Sequence, residues 1–423
     1  MNQDLKVTQQ NRTGFFADCS REEFERRIGR IREEMEQAQV DGVLLTQETN
    51  VRYSTGFYEI GWIVPAYFYM TFIPREKELP LAIFCPEGGQ IQTEAAWVEN
   101  IIRWDFPVGF YTGTVGETLV LAIAAWLKKL GLDQARIATE LSAHFRLGLS
   151  IECFDQIRGA LPRVCWTDCG NIMWAVRCVK SIEEVRRLRE ACRISCLGVK
   201  AGFEAICDGK SEREIANVMA ATMYAQGGSQ IRFLSLYAGQ ARALWADSTP
   251  RREMIIQPGS LLQFDGGCTY DGYFADFKRL ACLGEPTSDQ REGFEVAKAS
   301  EQAAIESVKP GVSFGEIYEA SQKVICDAGY PDFVDWCQRM GWSSIGHNLG
   351  LDIHEMPGIS IHNQQKLQSN MVISVEPFFY HQGRYPLWEV RNKYGLEDVI
   401  LVTEEGCEIL TPESIISRDI WIA

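Results

Sequence analysis

The sequence predicts two domains, an α/β layer domain followed by an α+β domain built from two related halves. Three observations carry this expectation. Short apolar runs alternate with amphipathic helical stretches from Ser20 to about residue 170. The pattern Gly-x-Ser-x-x-Glu-Ile stands at Gly209 to Ile215 and again at Gly311 to Ile317, each time between two helical stretches. Around Leu261 to Arg279, two apolar runs flank Asp271 and Gly272, which are residues of tight hairpin turns. At 423 residues, the chain gives each domain enough length for its own core.

Taken in order, Ser20 with Glu23 opens a helix whose Phe24, Ile28, Ile31 and Met35 form one apolar stripe. Gly42 to Leu45 reads as a buried strand. Tyr67 to Ile73 and Leu79 to Phe84 read as a hairpin around Pro74 to Glu78. A helix is expected from Glu117 to Leu130, ended by Gly131, then a strand at Ile137 to Thr139 and a helix from Arg146 to Gly159. The first domain is set at 1–172 and the second at 173–423. Ser181 with Glu184 caps a long helix carrying Val185, Leu188 and Cys192. Ser211 with Glu214, and Ser313 with Glu316, each cap the second helix of a half. Two such halves facing each other make a crevice, a usual place for a site.

Composition excludes some functions. A hydrophobic content of 46% and a charged content of 23% are ordinary for a globular chain. The net charge of −15 argues against nucleic acid and anionic membranes as partners. Met1 to Asp18 is polar and lacks the apolar stretch of a secretory leader. No apolar run approaches the roughly 18 residues of a membrane span. Fourteen scattered cysteines without a C-x-x-C pair fit buried thiols in a reducing compartment, so a cytoplasmic location is expected.

Chemistry centres on Asp265 and Asp276. With Tyr270–Asp271 as the two-residue turn, they face each other across the hairpin with Cβ atoms roughly 5 Å apart. Like charges so placed repel, and a cation between them removes the repulsion. The second half supplies His347 in Gly346-His347-Asn-Leu-Gly350, His354 in His354-Glu-Met-Pro357, Glu376 in Val372-Ile-Ser-Val-Glu376-Pro377, and Glu397 in Gly395-Leu-Glu397-Asp398. Both glutamates sit in runs that read as buried strands, where an unpaired carboxylate is costly. Singly, each has a bland reading as a core ion pair or a turn residue. Together, four carboxylates and one imidazole suit two divalent cations such as Mn²⁺, Co²⁺, Fe²⁺ or Zn²⁺. His354-Glu-Met-Pro357 is no zincin helix, because Pro357 breaks it and no second histidine follows at the right spacing.

The series D-x10-D, G-H-x-x-G, H-E-x-P, V-E-P and G-x-E-D resembles the pita-bread metallopeptidases. These include methionine aminopeptidase, aminopeptidase P and prolidase, with creatinase as a metal-free relative. The match runs from about Ser181 to the C-terminus. Arg27 to Phe57, with Asp41-Gly-Val-Leu-Leu45 and Asn50 to Gly56, resembles the N-terminal domain of the prolidase, aminopeptidase P and creatinase branch. The resemblance implies a creatinase-type N-terminal domain and a pita-bread catalytic domain with an internal pseudo-twofold repeat. It implies metal ligands at Asp265, Asp276, His347, Glu376 and Glu397, with Asp276 and Glu397 bridging two ions, and a substrate-facing His354. Two such ions lower the pKa of a shared water, so that hydroxide attacks an amide near neutral pH. Glu376 then carries the proton to the leaving nitrogen and His354 donates to the oxyanion. A short-peptide or small-molecule substrate and a homodimer are expected.

Two departures from the family bear on substrate. Trp245 stands where Xaa-Pro peptidases of this branch place a histidine, and Gly395 stands where they place an arginine. Both family residues help hold the peptide or its carboxylate end. Trp245 is expected to offer a π-face to the substrate, and Arg391 is the nearest replacement for the clamp. A non-peptide enzyme on the same site, such as a relative of the dimethylsulfoniopropionate lyase or a small-amide hydrolase, is one alternative. A catalytically dead binding protein of this fold is the other, and the complete set of five ligands speaks against it.

Overall fold

The computed structural model describes residues 19–57, 62, 67–86, 97–104, 117–143, 145–238, 249–380 and 393–423. The chain divides into two compact units, Met1–Arg177 and Cys178–Ala423, a few residues beyond position 172.

The first unit runs α1 (Arg21–Gln37), β1 (Gly42–Leu45), α2 (Glu48–Thr55), β2 (Met70–Pro74), β3 (Ala82–Pro86), β4 (Asn100–Trp104), α3 (Glu117–Lys129), β5 (Arg136–Thr139), α4 (Ile151–Ala160), β6 (Cys165–Asp168) and α5 (Gly170–Arg177). Its strands form one mixed sheet in the order β4-β3-β2-β1-β5-β6. Ser20 caps α1 by accepting from the Glu23 N–H at 3.1 Å, and the stripe from Phe24 to Met35 is buried. Helix α4 starts at Ile151, later than expected, with Ser150 as its cap. The chain just before it passes so close to β1 that a Cβ on Gly148 would lie 2.0 Å from the Thr46 carbonyl oxygen. Helix α2 went unnoticed in the sequence because Asn50, Ser54 and Thr55 interrupt its apolar pattern. All three are nevertheless buried.

The second unit shows the two halves. The first is α6 (Ile182–Glu204), α7 (Glu212–Ala225), β7 (Gln230–Ala238), β8 (Leu261–Tyr270), β9 (Tyr273–Phe274) and β10 (Phe277–Cys282). The second is α8 (Ser288–Ser307), α9 (Phe314–Asp327), α10 (Pro331–Arg339), β11 (Ser344–Asn348), β12 (Glu355–Ser360), β13 (Val372–Val375), β14 (Phe378–Phe379), β15 (Tyr394–Gly395), β16 (Asp398–Val402), β17 (Cys407–Ile409) and β18 (Trp421–Ile422). Capping boxes open α7 at Ser211 and Glu214 and α9 at Ser313 and Glu316. Each cap residue also makes an isolated β-bridge, Ser211 with Ile255 and Ser313 with Lys366, so the repeat extends beyond its motif. One sheet is ordered β18-β10-β8-β7 with β9 on β8, and the other β12-β11-β13-β16-β17. Ile194, Phe203, Ile215, Phe264 and Phe277 pack the first half, and Ile305, Phe314, Ile317, Ile373 and Ile400 pack the second. An isolated bridge between Lys278 and Glu397 joins the two sheets.

The hairpin register differs from the expected one. Asp271 and Gly272 both have positive φ, 48° and 85°, and they form the turn in place of Tyr270–Asp271. Asp-Gly suits a type I′ turn, which needs positive φ at both positions. Tyr270 therefore pairs with Tyr273, and Asp265 faces Lys278 across β8 and β10. The partner has moved by two residues, so Asp276 stays on the same face but lies diagonal to Asp265.

Candidate metal centre

The four acids and the imidazole meet where the two sheets join. Asp265 is in the middle of β8, Asp276 lies between β9 and β10, and His347 is near the end of β11. Glu376 follows β13 and Glu397 precedes β16, so each lies one place outside its expected strand. Gly346, with φ of 154°, lets β11 run against β13: a Cβ there would be 2.1 Å from the Ser374 carbonyl oxygen. That close approach puts His347 beside Glu376.

Ligand atoms lie within 4.8 Å of one another in three groups: Asp265, Asp276 and Glu397; His347, Glu376 and Glu397; and Asp276, His347 and His354. His347 Nε2 stands 3.4 Å from Glu376 Oε1 and 3.7 Å from Asp276 Oδ2. Its Nδ1 is 2.9 Å from the Asn348 carbonyl oxygen, so Nδ1–H donates there and Nε2 is the ring atom turned toward the acids. Burial works to lower the imidazole pKa, but the hydrogen bond and charge of Glu376, with the charge of Glu397, outweigh it and raise it. Asp276 Oδ1 and His347 Nε2 are both buried with no hydrogen-bond partner. Unpaired buried polar atoms cost free energy, and a cation bound between these two, with the imidazole neutral, would remove that cost. The oxygen-rich donor set with one imidazole therefore fits a divalent metal ion.

Lys278 is the residue that sequence reasoning missed. Its Nζ lies 2.5 Å from Glu376 Oε2, 2.7 Å from Glu397 Oε2 and 3.2 Å from Asp265 Oδ2. Placing the turn on Asp271–Gly272 from the sequence would have put this lysine opposite Asp265. Behind it, Arg279 donates to the carbonyl oxygens of Lys278 and Glu397 at 2.8 and 2.9 Å and to Asp398 Oδ1 at 2.5 Å. Arg418 pairs with Asp398 at 2.9 Å and Glu301 at 2.7 Å, completing a buried charged layer that clamps β10 to β16. Ser374 Oγ donates to Glu397 Oε1.

His354 is exposed, with its ring centroid 4.0 Å from that of His347. The next residue, Glu355, is anchored by a buried ion pair to Lys180 at 3.0 Å, which fixes the loop that carries His354. Desolvation of the imidazole against its neighbour, with the charge of His347, pushes the His354 pKa down to about 4, so the ring is neutral near pH 7. Burial raises the Asp276 carboxyl well above its ordinary range, with Glu397 and Asp265 adding to the effect. Burial would raise Glu376 too, but Lys278 and His347 prevail and hold it well below the usual carboxylate range. Trp245 and Arg391 lie outside the described residues. At Gly395, a Cβ would meet Lys278 Cδ at 3.6 Å, so this position borders the lysine stem.

Residues 186–404 match the model of metallopeptidase family M24, and residues 27–179 match that of the creatinase/prolidase N-terminal domain. The chain is 26% identical over 387 residues to an Xaa-Pro dipeptidase of Pyrococcus horikoshii, covering 91% of this chain and 96% of that one. It is 31% identical over 265 residues to an Xaa-Pro dipeptidase of Lactobacillus helveticus, covering 62% and 68%. The fold is similar to that of a prolidase from Thermococcus sibiricus, with a TM-score of 0.79 at 21% identity, covering 95% of this chain and 99% of the other.

Proposed function

The chain belongs to metallopeptidase family M24, and from that membership we propose a metal-dependent hydrolase of the Xaa-Pro dipeptidase type acting on short peptides. The relatives above that bear this name support the substrate class. One observation carries the metal dependence: a complete set of four acids and an imidazole converges with two of its buried atoms, Asp276 Oδ1 and His347 Nε2, left unpaired. Asp265, Asp276, His347, Glu376 and Glu397 would hold the metal. Their number is the complement of a two-ion centre, for which Mn²⁺, Co²⁺, Fe²⁺ or Zn²⁺ is suited. Lys278 competes for one of those positions.

A divalent ion in this set supplies Lewis acidity toward the scissile carbonyl and an acidified water. The side chain of Glu376 retains 25% of its exposure, so it can meet the attacking water, take its proton and return it to the leaving nitrogen. His354, neutral and exposed, donates an N–H to the developing oxyanion. His347 keeps one orientation through its Nδ1–H donation to Asn348.

Catalysis is assigned to the domain at 173–423, and the creatinase-type domain at 1–172 to shaping the enzyme or its homodimer. Among the described residues no helix is long and apolar enough to cross a membrane, and all fourteen cysteines are free, which fits the cytoplasm. A second reading, a small zwitterion or amide as substrate, is favoured by Gly395, which offers no cationic clamp for a prolyl carboxylate. Metal-loaded protein tested on Xaa-Pro dipeptides, longer Xaa-Pro peptides and small zwitterions, dimethylsulfoniopropionate included, separates the two. Metal-dependent dipeptide cleavage is expected. Turnover confined to the small zwitterions would overturn the peptide substrate.

A further inference from the structure

We propose that Lys278 is a built-in cation occupying one of the two ion positions, so that the centre takes a single divalent ion while the lysine is present. The inference rests on the metal-hydrolase reading and concerns how many ions that site accepts.

The ammonium is held by one carboxylate from the first half and two from the second, all within 3.2 Å. A divalent ion shared by these oxygens would lie about 2.0–2.2 Å from them, in the space that Nζ fills. An ion on these same oxygens would overlap the ammonium, whereas one on the far side of the carboxylates keeps a negative charge between the two cations. The lysine is not a surface arm that happens to reach inward. Its backbone pairs with Asp265 on one side and bridges Glu397 on the other, where its N–H donates to the Glu397 carbonyl oxygen at 3.2 Å. Arg279 grips its carbonyl oxygen, and only 10% of its side chain is exposed. Gly395 borders the stem, where a Cβ would stand in ordinary contact 3.6 Å from Cδ.

The atoms left unpaired are consistent with one remaining position. Asp276 Oδ1 and His347 Nε2 are the members of the set that are buried without a hydrogen bond. Both Lys278-bound glutamate oxygens are Oε2, which leaves Glu376 Oε1 turned toward His347 at 3.4 Å. A single ion would therefore sit on Asp276 and His347, with Glu376 Oε1 or His354 beside it. It would share the negative charge of the site with the lysine.

Chelator-treated wild type and Lys278→Met are loaded with Mn²⁺ and examined by elemental analysis and electron paramagnetic resonance. Wild type is expected to saturate at about one ion per chain with an uncoupled six-line spectrum. Lys278→Met is expected to reach about two ions with exchange coupling. Two coupled ions in wild type, or an unchanged single ion in Lys278→Met, would overturn the proposal. Should the variant not fold, anomalous diffraction from Mn²⁺-soaked wild-type crystals decides. One peak on Asp276 and His347, with Nζ still among Asp265, Glu376 and Glu397, supports the proposal, and a lysine swung out beside two peaks refutes it. Absence of bound Mn²⁺ from both proteins would instead remove the metal-hydrolase reading itself.

Discussion

Glu140 in the first unit and Asp276 in the second are equally hidden from water, 1% and 2% exposed, yet their surroundings are opposite. Glu140 accepts from the Thr46 N–H at 3.1 and 2.9 Å, from Thr46 Oγ1 at 2.9 Å, from the Gln47 N–H at 3.3 Å and from Asn50 Nδ2 at 3.1 Å. Every donor around it is neutral and fixed, so the carboxylate staples the end of β1 to the start of α2. Asp276 has an oxygen with no partner and two further acids close by. A buried acid that the fold satisfies holds the structure together. One that the fold leaves unsatisfied is kept for something else to bind.

The comparison is tested hardest at Glu376. If the second unit's acids are chemical rather than structural, Glu376→Gln should lower kcat by roughly a thousandfold or more even at metal concentrations that restore full loading, with the fold retained. Steady-state rates on an Xaa-Pro dipeptide, beside metal content and circular dichroism, measure this. A loss under tenfold would move the proton-transfer role elsewhere.

Next comes stability. Glu140→Gln turns an NH₂ group against backbone N–H donors and should destabilise the first unit by about 3 kcal/mol. Asp276→Asn in chelated protein should be neutral or slightly stabilising, because it removes repulsion from Asp265 and Glu397. Urea unfolding of the two variants would collapse the contrast if both were equally destabilised.

The smallest effect concerns Glu23 in α1. Burial works to raise its pKa, but hydrogen bonds from Arg26 and the charge of Arg27 outweigh it and lower it to about 2. The stabilisation is complete above the ordinary carboxyl pKa near 4.5 and is lost as pH falls toward 2. Glu23→Gln should thus cost about 2 kcal/mol at neutral pH, after allowance for the part-exposed Arg26, and the gap should close in acid. A gap that stays constant with pH would contradict the ion pairing.

Much of this was legible in the sequence. Each of the three Ser/Glu capping boxes in the second unit formed where the spacing put it, because a cap depends only on residues three apart. The residues that meet in the candidate site drew notice because acids in apolar runs need a reason. What the sequence hid depended on register. A turn shifted by one place moved the partner of Asp265 from Asp276 to Lys278, and hydrophobic alternation could not flag the error because both residues lie on one face. Helix α2 and the charged layer of Arg279, Asp398, Arg418 and Glu301 were hidden for a related reason: polar residues read as exposed until a distant partner is known.

On this reading Asp276 Oδ1 and His347 Nε2, buried and unpaired among converging acids, are kept for metal. Isothermal calorimetry of Mn²⁺ into chelator-treated wild type and Asp276→Asn tests it directly. Wild type should bind saturably, and Asp276→Asn at least about tenfold more weakly through the loss of a single ligand charge. Equal binding by the two proteins, or none by wild type, would contradict it.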